Sequence, residues 1–222
     1  MSLWIKICGN TSYEDALLAA EAGADAVGFV FAPSPRHVTV EQVAAITPKL
    51  PSLIEKIGVF VDASFDEIET AVRDCGLTGV QLHFETEPDL PGKLRQRFGR
   101  DLRIIGVVRY PAQSLTSDHG AEQMMEFASP FLNEQVDAVL VDSYSLTTQG
   151  GTGQAYDWGL AAVTLFTDTR KLKVAAGGLT PENVAEAIRI LKPWGVDVVS
   201  GVEIIPGRKN PAKVRAFVKS AR

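Results

Sequence analysis

The chain is poor in the residues that hold metals and disulfides. Its two cysteines, Cys8 and Cys75, lie far apart and outside any CxxC spacing, so neither a zinc site nor a disulfide framework is written here and both are expected to be free thiols. Three histidines, His37, His83 and His119, fall in different segments; they form no metal-ligand cluster, and a metal-free site is expected. There is no basic stripe either. Charged residues make up 22% of the chain and the formal net charge is −5, which argues against a nucleic-acid partner. No apolar run approaches the roughly 18 residues of a membrane span, and no basic segment followed by an apolar one and a cleavage site opens the sequence. A cytoplasmic protein without a membrane partner is expected. Low-complexity segments and interdomain linkers are missing too. With 45% hydrophobic residues among 222, one core is sufficient, and the expectation is a single domain over 1–222.

What is present is a repeated alternation. Short apolar runs occur as WIKI from Trp4, AVGFVF from Ala26, KIGVFV from Lys56, GVQL from Gly79, RIIGVV from Arg103, AVLV from Ala138, KVAA from Lys173 and VDVV from Val196. Most are continuously hydrophobic rather than alternating, as strands of a parallel sheet covered on both faces read. Helix-like segments lie between them. SYEDALLAAEAG has Ser12 as an N-cap and Gly23 as a stop; SFDEIETAVRDCG carries a capping box of Ser64 and Glu67 and ends at Gly76; TPENVAEAIRIL places Pro181 in the first turn after Thr180. Eight such βα units predict an α/β protein, a closed single-domain (β/α)8 TIM barrel. GADAVGFV, QVDAVLVD and GVDVVSGV each set an aspartate, Asp25, Asp137 or Asp197, just ahead of a strand, and all three are expected at the N-terminal face, serving stability.

Chemistry in such a barrel sits at the C-terminal strand ends, so the polar residues that follow each run are the candidates. They are Cys8 after the first, Arg36 after the second, His83 after the fourth and Asp142 after the sixth. Gly177 and Gly178 follow the seventh, and Ser200 and Gly201 the eighth. Backbone amides at the last two places suit a phosphate, since glycine permits close approach and a helix start adds positive charge. Gly150, Gly151 and Gly153, in TQGGTGQ after the sixth run, form a third cluster. Each cluster alone is a turn signal; together at one mouth they favour a sugar phosphate. Cys8 is either a small buried hydrophobe or a reactive thiol. Lys6, two residues earlier on an extended strand, shares its face, and an ammonium there is expected to lower the thiol pKa, leaving a thiolate to act as base or nucleophile. Asp142 is either a loop carboxylate or an acid facing Cys8 across a ligand, and Arg36 either a solvated cation or a carboxylate receptor.

KICG at 6–9, GADAVGFVF at 23–31, SPR at 34–36, VQLH at 80–83, LVDS at 140–143, GGTGQAYDW at 150–158, AGGLTPENV at 176–184 and SGVE at 200–203 resemble the phosphoribosylanthranilate isomerases, over nearly the whole chain. The resemblance implies a cofactor-free enzyme of tryptophan biosynthesis. Its small-molecule substrate would be N-(5-phosphoribosyl)anthranilate, converted by an Amadori rearrangement into 1-(2-carboxyphenylamino)-1-deoxyribulose 5-phosphate. It also implies Cys8 as general base, Asp142 as general acid, Arg36 for the anthranilate carboxylate, and the glycine loops for phosphate. The chain departs from the family pattern at Phe84, where glycine usually follows VQLH, at Val199, where a second serine is common, and in a longer segment over 109–134. Two other readings stay open: an isomerase of a related aminoaldose phosphate in histidine biosynthesis, and a phosphate-ligand barrel without turnover. Cys8 argues against the first, since that family uses two aspartates, and the Cys8 and Asp142 pair against the second. The oligomeric state is expected to be monomer or homodimer.

Overall fold

The computed structural model describes residues 2–83, 87, 89–111, 135–144, 157–166 and 171–222. Eight parallel strands close into a barrel in chain order: β1 (Trp4–Ile7), β2 (Ala26–Val30), β3 (Glu55–Phe60), β4 (Gly79–Leu82), β5 (Arg103–Pro111), β6 (Ala138–Tyr144), β7 (Leu172–Ala175) and β8 (Gly195–Val198), which returns to pair with β1. The described helices are α1 (Tyr13–Glu21), α2 (Val40–Ile46), α3 (Phe65–Cys75), α4 (Leu90–Phe98), α5 (Trp158–Thr164), α6 (Val184–Leu191) and α7 (Pro211–Ala221). None of the described helices is long and apolar enough to cross a membrane.

The continuous apolar runs have a simple cause. Successive side chains on a strand point to opposite faces, and here both faces are buried. One parity packs outward under the helices, with Ile5, Ile7, Val27, Phe29, Val80 and Leu82 in the same cluster as Ala16, Ile68 and Val184. The other parity fills the barrel, where Trp4, Ala26, Ile57, Ile105, Leu140 and Val174 form a separate cluster. Helix α3 shows how local signals set the outer layer. The Ser64 hydroxyl accepts from the Glu67 backbone N–H, the Glu67 carboxylate accepts from the Ser64 N–H, and Gly76 ends the helix at φ +58°. Its buried stripe is Ile68, Ala71, Val72 and Cys75, spaced as a helix face requires. Cys75 is thus a packing residue: its thiol donates to the Val40 carbonyl, and burial pushes its pKa up to about 11.

Two sequence expectations need correction. Helix α6 begins at Val184 rather than Pro181, because the Asn183 side chain accepts from the Thr180 N–H and donates to the Gly178 carbonyl, making 180–183 a separate turn. Asp25 and Asp137 do sit before β2 and β6 and tie neighbouring strand starts together, accepting from the backbone N–H of Ile5 and of Ile104 at 2.8 Å. Asp197 does not share that place. It lies within β8, in register with Lys6 of β1, and is buried. After β8 the chain adds a short helical turn over Ser200–Val202 and then an antiparallel hairpin, β9 (Glu203–Ile205) and β10 (Arg208–Lys209), turning at Gly207 with φ +81°. The Gly207 carbonyl accepts from Thr11 and the Lys209 N–H donates to Asp15, so the hairpin is fastened to the start of α1.

Candidate active site

Climbing the inward parity from the apolar floor leads to a polar layer and then to an open mouth. On β1 the inward residues are Trp4, Lys6 and then Cys8 just past the strand; on β4 they include Gln81 and then His83; on β6 Ala138, Leu140 and Asp142; on β8 Gly195 and Asp197. The middle layer is built on a fully buried lysine. Lys6 Nζ donates across the barrel to Gln81 Oε1 at 2.9 Å and to Asp197 Oδ1 at 3.0 Å. Burial alone would pull the Lys6 ammonium down, but the charges of Asp197 and Cys8 outweigh it and hold its pKa above the ordinary lysine value.

Above that layer a cavity of about 540 Å³ opens, lined among others by Cys8, Arg36, His83, Asp142, Gly178 and Ser200. Five strand ends and the loop after β2 therefore converge as the sequence pattern anticipated. Cys8 is 3% exposed, with its N–H donating to the Val198 carbonyl. The Lys6 side chain and the Cys8 thiol both pack against Gly28, so the ammonium lies near the thiol. The expected lowering of the thiol pKa is nevertheless overturned. Burial pushes the Cys8 thiol above its ordinary value, Lys6 offsets only part of this, and Asp197, which shares the Lys6 ammonium, adds to the rise. Lys6 itself does not line the cavity; it stands beneath Cys8.

The phosphate-type end combines the turns after β7 and β8. Gly177, at φ +77°, packs so tightly on Ser143 that any side chain would overlap its backbone N–H. Among the described residues, the N–H groups of Gly178 and Ser200 meet no acceptor. Gly201 is not a lining residue; it packs against the Leu179 carbonyl, which leaves no room for a Cβ. Gly150, Gly151 and Gly153, with Phe84 and most of the longer segment over 109–134, lie outside the described residues.

Arg36 lines the mouth, but its fork already holds a carboxylate. Nε donates to Glu203 Oε1 at 2.9 Å and Nη2 to Oε2 at 2.7 Å, while Nη1 has no acceptor among the described residues. Lys209 donates from Nζ to the same Glu203, at 3.1 Å, and to the Cys8 carbonyl. Burial would raise the Glu203 carboxyl, yet the Arg36 hydrogen bonds and the Lys209 charge hold it below the ordinary carboxylate range. Burial draws the Lys209 ammonium down, and Glu203 restores part of the loss. Sequence reasoning gave no place in the site to Gln81, Asp197, Glu203 or Lys209, and set Asp197 at the N-terminal face for stability. The available signal for the first two was parity with Lys6; nothing in the pattern marked the hairpin pair.

A second depression, of about 560 Å³, lies at the opposite end of the barrel around Glu55, Arg100, Arg103, Asp137 and Lys171. Its principal charges are already paired: Arg103 with Glu55 at 2.8 Å, and Asp137 with Arg95, which stands outside the lining, at 2.7 Å.

Residues 5–220 match the family described as N-(5'phosphoribosyl)anthranilate (PRA) isomerase. An N-(5'-phosphoribosyl)anthranilate isomerase of Trichlorobacter lovleyi is 42% identical over 219 residues, covering 98% of this chain and 97% of that protein. Among solved structures, a dimeric phosphoribosylanthranilate isomerase of Thermotoga maritima, studied as generated monomers, superimposes with a TM-score of 0.79 at 32% identity, over 99% of this chain and 98% of its own. Another phosphoribosyl anthranilate isomerase, in complex with reduced 1-(o-carboxyphenylamino)-1-deoxyribulose 5-phosphate, gives a TM-score of 0.79 at 33% identity with the same coverage. Barrel order and a match over nearly the full length agree, and the chain belongs to the N-(5'-phosphoribosyl)anthranilate isomerase family.

Proposed function

We propose that this protein catalyses the Amadori rearrangement of N-(5-phosphoribosyl)anthranilate to 1-(2-carboxyphenylamino)-1-deoxyribulose 5-phosphate in tryptophan biosynthesis, with Asp142 as general acid and Cys8 as general base. One observation carries the reading: Cys8 and Asp142, from β1 and β6, line a single cavity whose rim holds Arg36 and two amides without acceptors. Asp142, protonated, gives its proton to the ribose ring oxygen as the bond from that oxygen to C1′ breaks, leaving an iminium between C1′ and the anthranilate nitrogen. The iminium acidifies C2′. Cys8, as thiolate, removes the C2′ proton, and the resulting enolamine becomes the ketone as C1′ takes up a proton and the C2′ hydroxyl gives one up. Burial that raises the thiol pKa also makes the thiolate a stronger base once formed.

The substrate is an anion twice over and the chain is net acidic, so attraction is local. Gly177, Gly178, Ser200 and the Gly201 turn receive the phosphate; Arg36, through Nη1, receives the anthranilate carboxylate; His83 stands on the wall between. Lys6 acts from below, on the thiol rather than on the substrate. The barrel over 1–222 works as one domain in the cytoplasm, as monomer or homodimer.

The test is loss of anthranilate fluorescence on freshly prepared substrate. Cys8→Ser and Asp142→Asn are each expected to lower kcat by about 10²–10⁴-fold while circular dichroism stays native. Retained turnover in both variants would remove the acid–base assignment. Failure of the wild type on this substrate would reopen the choice among sugar phosphates.

A further inference from the structure

Behind the wall of the cavity, two cations share one carboxylate. Arg36, 14% exposed, reaches the cavity; Glu203 and Lys209 are buried and do not line it. A lone bidentate Arg–Glu pair is neutral and has little left with which to attract an anion. Here the Glu203 carboxylate also takes the Lys209 ammonium, and the cluster keeps one positive charge in excess. Two further charged groups that meet the hairpin, Asp15 and Lys213, are of opposite sign and offset each other, so the excess stands. Asp15 meets Lys209 at the backbone N–H, and Lys213 Nζ, a further cation, reaches the Glu203 carbonyl at 3.5 Å. The surplus has one outlet toward the cavity, the Arg36 guanidinium with its Nη1.

We propose that Lys209 is a specificity-determining positioning residue: by sharing Glu203 with Arg36 it maintains the excess positive charge that selects an aryl amine bearing a carboxylate. The inference rests on the reading that Arg36 receives that carboxylate. It adds that Arg36 alone, neutralised by Glu203, does not discriminate. It also gives the β9–β10 hairpin a purpose, since the hairpin carries both Glu203 and Lys209 and is fastened beside Cys8 through the Lys209 bond to the Cys8 carbonyl.

The experiment compares two substrates, phosphoribosylanthranilate and N-(5-phosphoribosyl)aniline, which lacks the carboxylate, and reads the ratio of their kcat/KM values with KM and kcat resolved. Lys209→Met leaves the neutral Arg36–Glu203 pair, and the ratio should fall by about tenfold or more, through KM. Lys209→Met with Glu203→Gln removes one charge of each sign, leaves Arg36 as the single excess cation, and should return the ratio to within about threefold of wild type. A buried brace with only a structural role would depress both substrates alike and would not recover in the double variant; either result overturns the proposal. Arg36→Met separates the two levels of inference. If it collapses the ratio while Lys209→Met does not, the carboxylate reading stands and the proposal falls; if Arg36→Met leaves the ratio intact, both fall. Should Lys209→Met not fold, Glu203→Gln decides. Two cations without an anion must hold or raise the ratio, and a fall refutes the charge account.

Discussion

A methyl group added at Gly28 tests how closely rate depends on the position of the Cys8 thiol. Gly28 lies inside β2 with an ordinary φ, so its backbone accepts alanine. The space does not. A Cβ there would stand 2.5 Å from Cys8 Sγ, 3.1 Å from Cys8 Cβ and 3.0 Å from Lys6 Cε. Lys6 cannot give way easily, because its ammonium is pinned by Gln81 and Asp197 at 2.9 and 3.0 Å. The thiol therefore moves, by about 0.9 Å if it is to reach the 3.4 Å of an ordinary contact. Replacing glycine by alanine at a tolerant φ stabilises by about 0.4–1 kcal/mol through the unfolded chain, while overpacking a tight interior costs about 1–3 kcal/mol. Overpacking wins, and a net loss of about 1–2 kcal/mol should lower the melting temperature by about 3–6 °C in a domain of this size. A base displaced by about an ångström costs on the order of a hundredfold in rate. Gly28→Ala should thus combine a small loss of melting temperature with a kcat reduced about a hundredfold in the fluorescence assay. A kcat within a few-fold of wild type would refute the reasoning, since it would mean that the thiol has room to yield without losing its task.

Lys6→Met removes the cation that partly offsets burial at Cys8, so the thiol pKa rises further and the acid limb of the kcat/KM profile should move to higher pH; a limb that stays in place would show that Lys6 does not act on the thiol. Glu203 has a depressed carboxyl, so its contribution to stability is fully present above the unfolded value of about 4.3 and is lost as pH falls through the folded value. Glu203→Gln should accordingly flatten the fall of melting temperature below about pH 4.3, and an unchanged acid limb would contradict the linkage. Gly177→Ala forces a side chain into a left-handed position, at about 1–2 kcal/mol, and against Ser143. Weaker competitive inhibition by inorganic phosphate and a lower melting temperature are expected; if neither changes, the turn after β7 is not the phosphate seat.

The strands were legible because each carries a continuous apolar run, and a run needs no partner to be recognised. Cys8, His83 and Asp142 were legible for a related reason: a polar residue directly after such a run, in a barrel, has the mouth as its place, and Arg36 follows in the loop after the second run. Asp197 was misread because three similar segments put an aspartate before apolar residues, although its own run, VDVV from Val196, already contains it; β8 begins at Gly195 and pairs Asp197 with Lys6. The thiol pKa was misjudged because Lys6 was visible in the sequence next to Cys8, whereas the carboxylate that shares it comes from the far end of the chain and the desolvation from the whole barrel. The Glu203 and Lys209 pair was hidden for the same reason. Their partners, Arg36 and the Cys8 carbonyl, are distant in sequence, and EIIPGRK reads as an ordinary turn.

A buried lysine in the middle of the barrel is a poor choice for stability alone. Desolvating an ion pair costs more than well-packed hydrophobic residues of similar volume would, and leaving one partner unpaired costs about 3–5 kcal/mol. The two layers of the interior resolve the paradox by position. Below Lys6 the filling is apolar, with Trp4, Ile57 and Ile105; above it, two residues on along the same strand, Cys8 meets the cavity. Parity forces this order: on a strand of fixed direction, the residue that supports Cys8 from within must be Lys6, and the residue that neutralises Lys6 must come from a neighbouring strand at the same height, which β8 supplies as Asp197. The thiol then faces the cavity on one side and a fixed ammonium, paired with Gln81 and Asp197, on the other, held by two strands that no loop movement displaces. A loop lysine would solvate and wander; a strand lysine, locked by Gln81 and Asp197, keeps its charge under the thiol, which is what the proposed role of Cys8 as base toward C2′ requires.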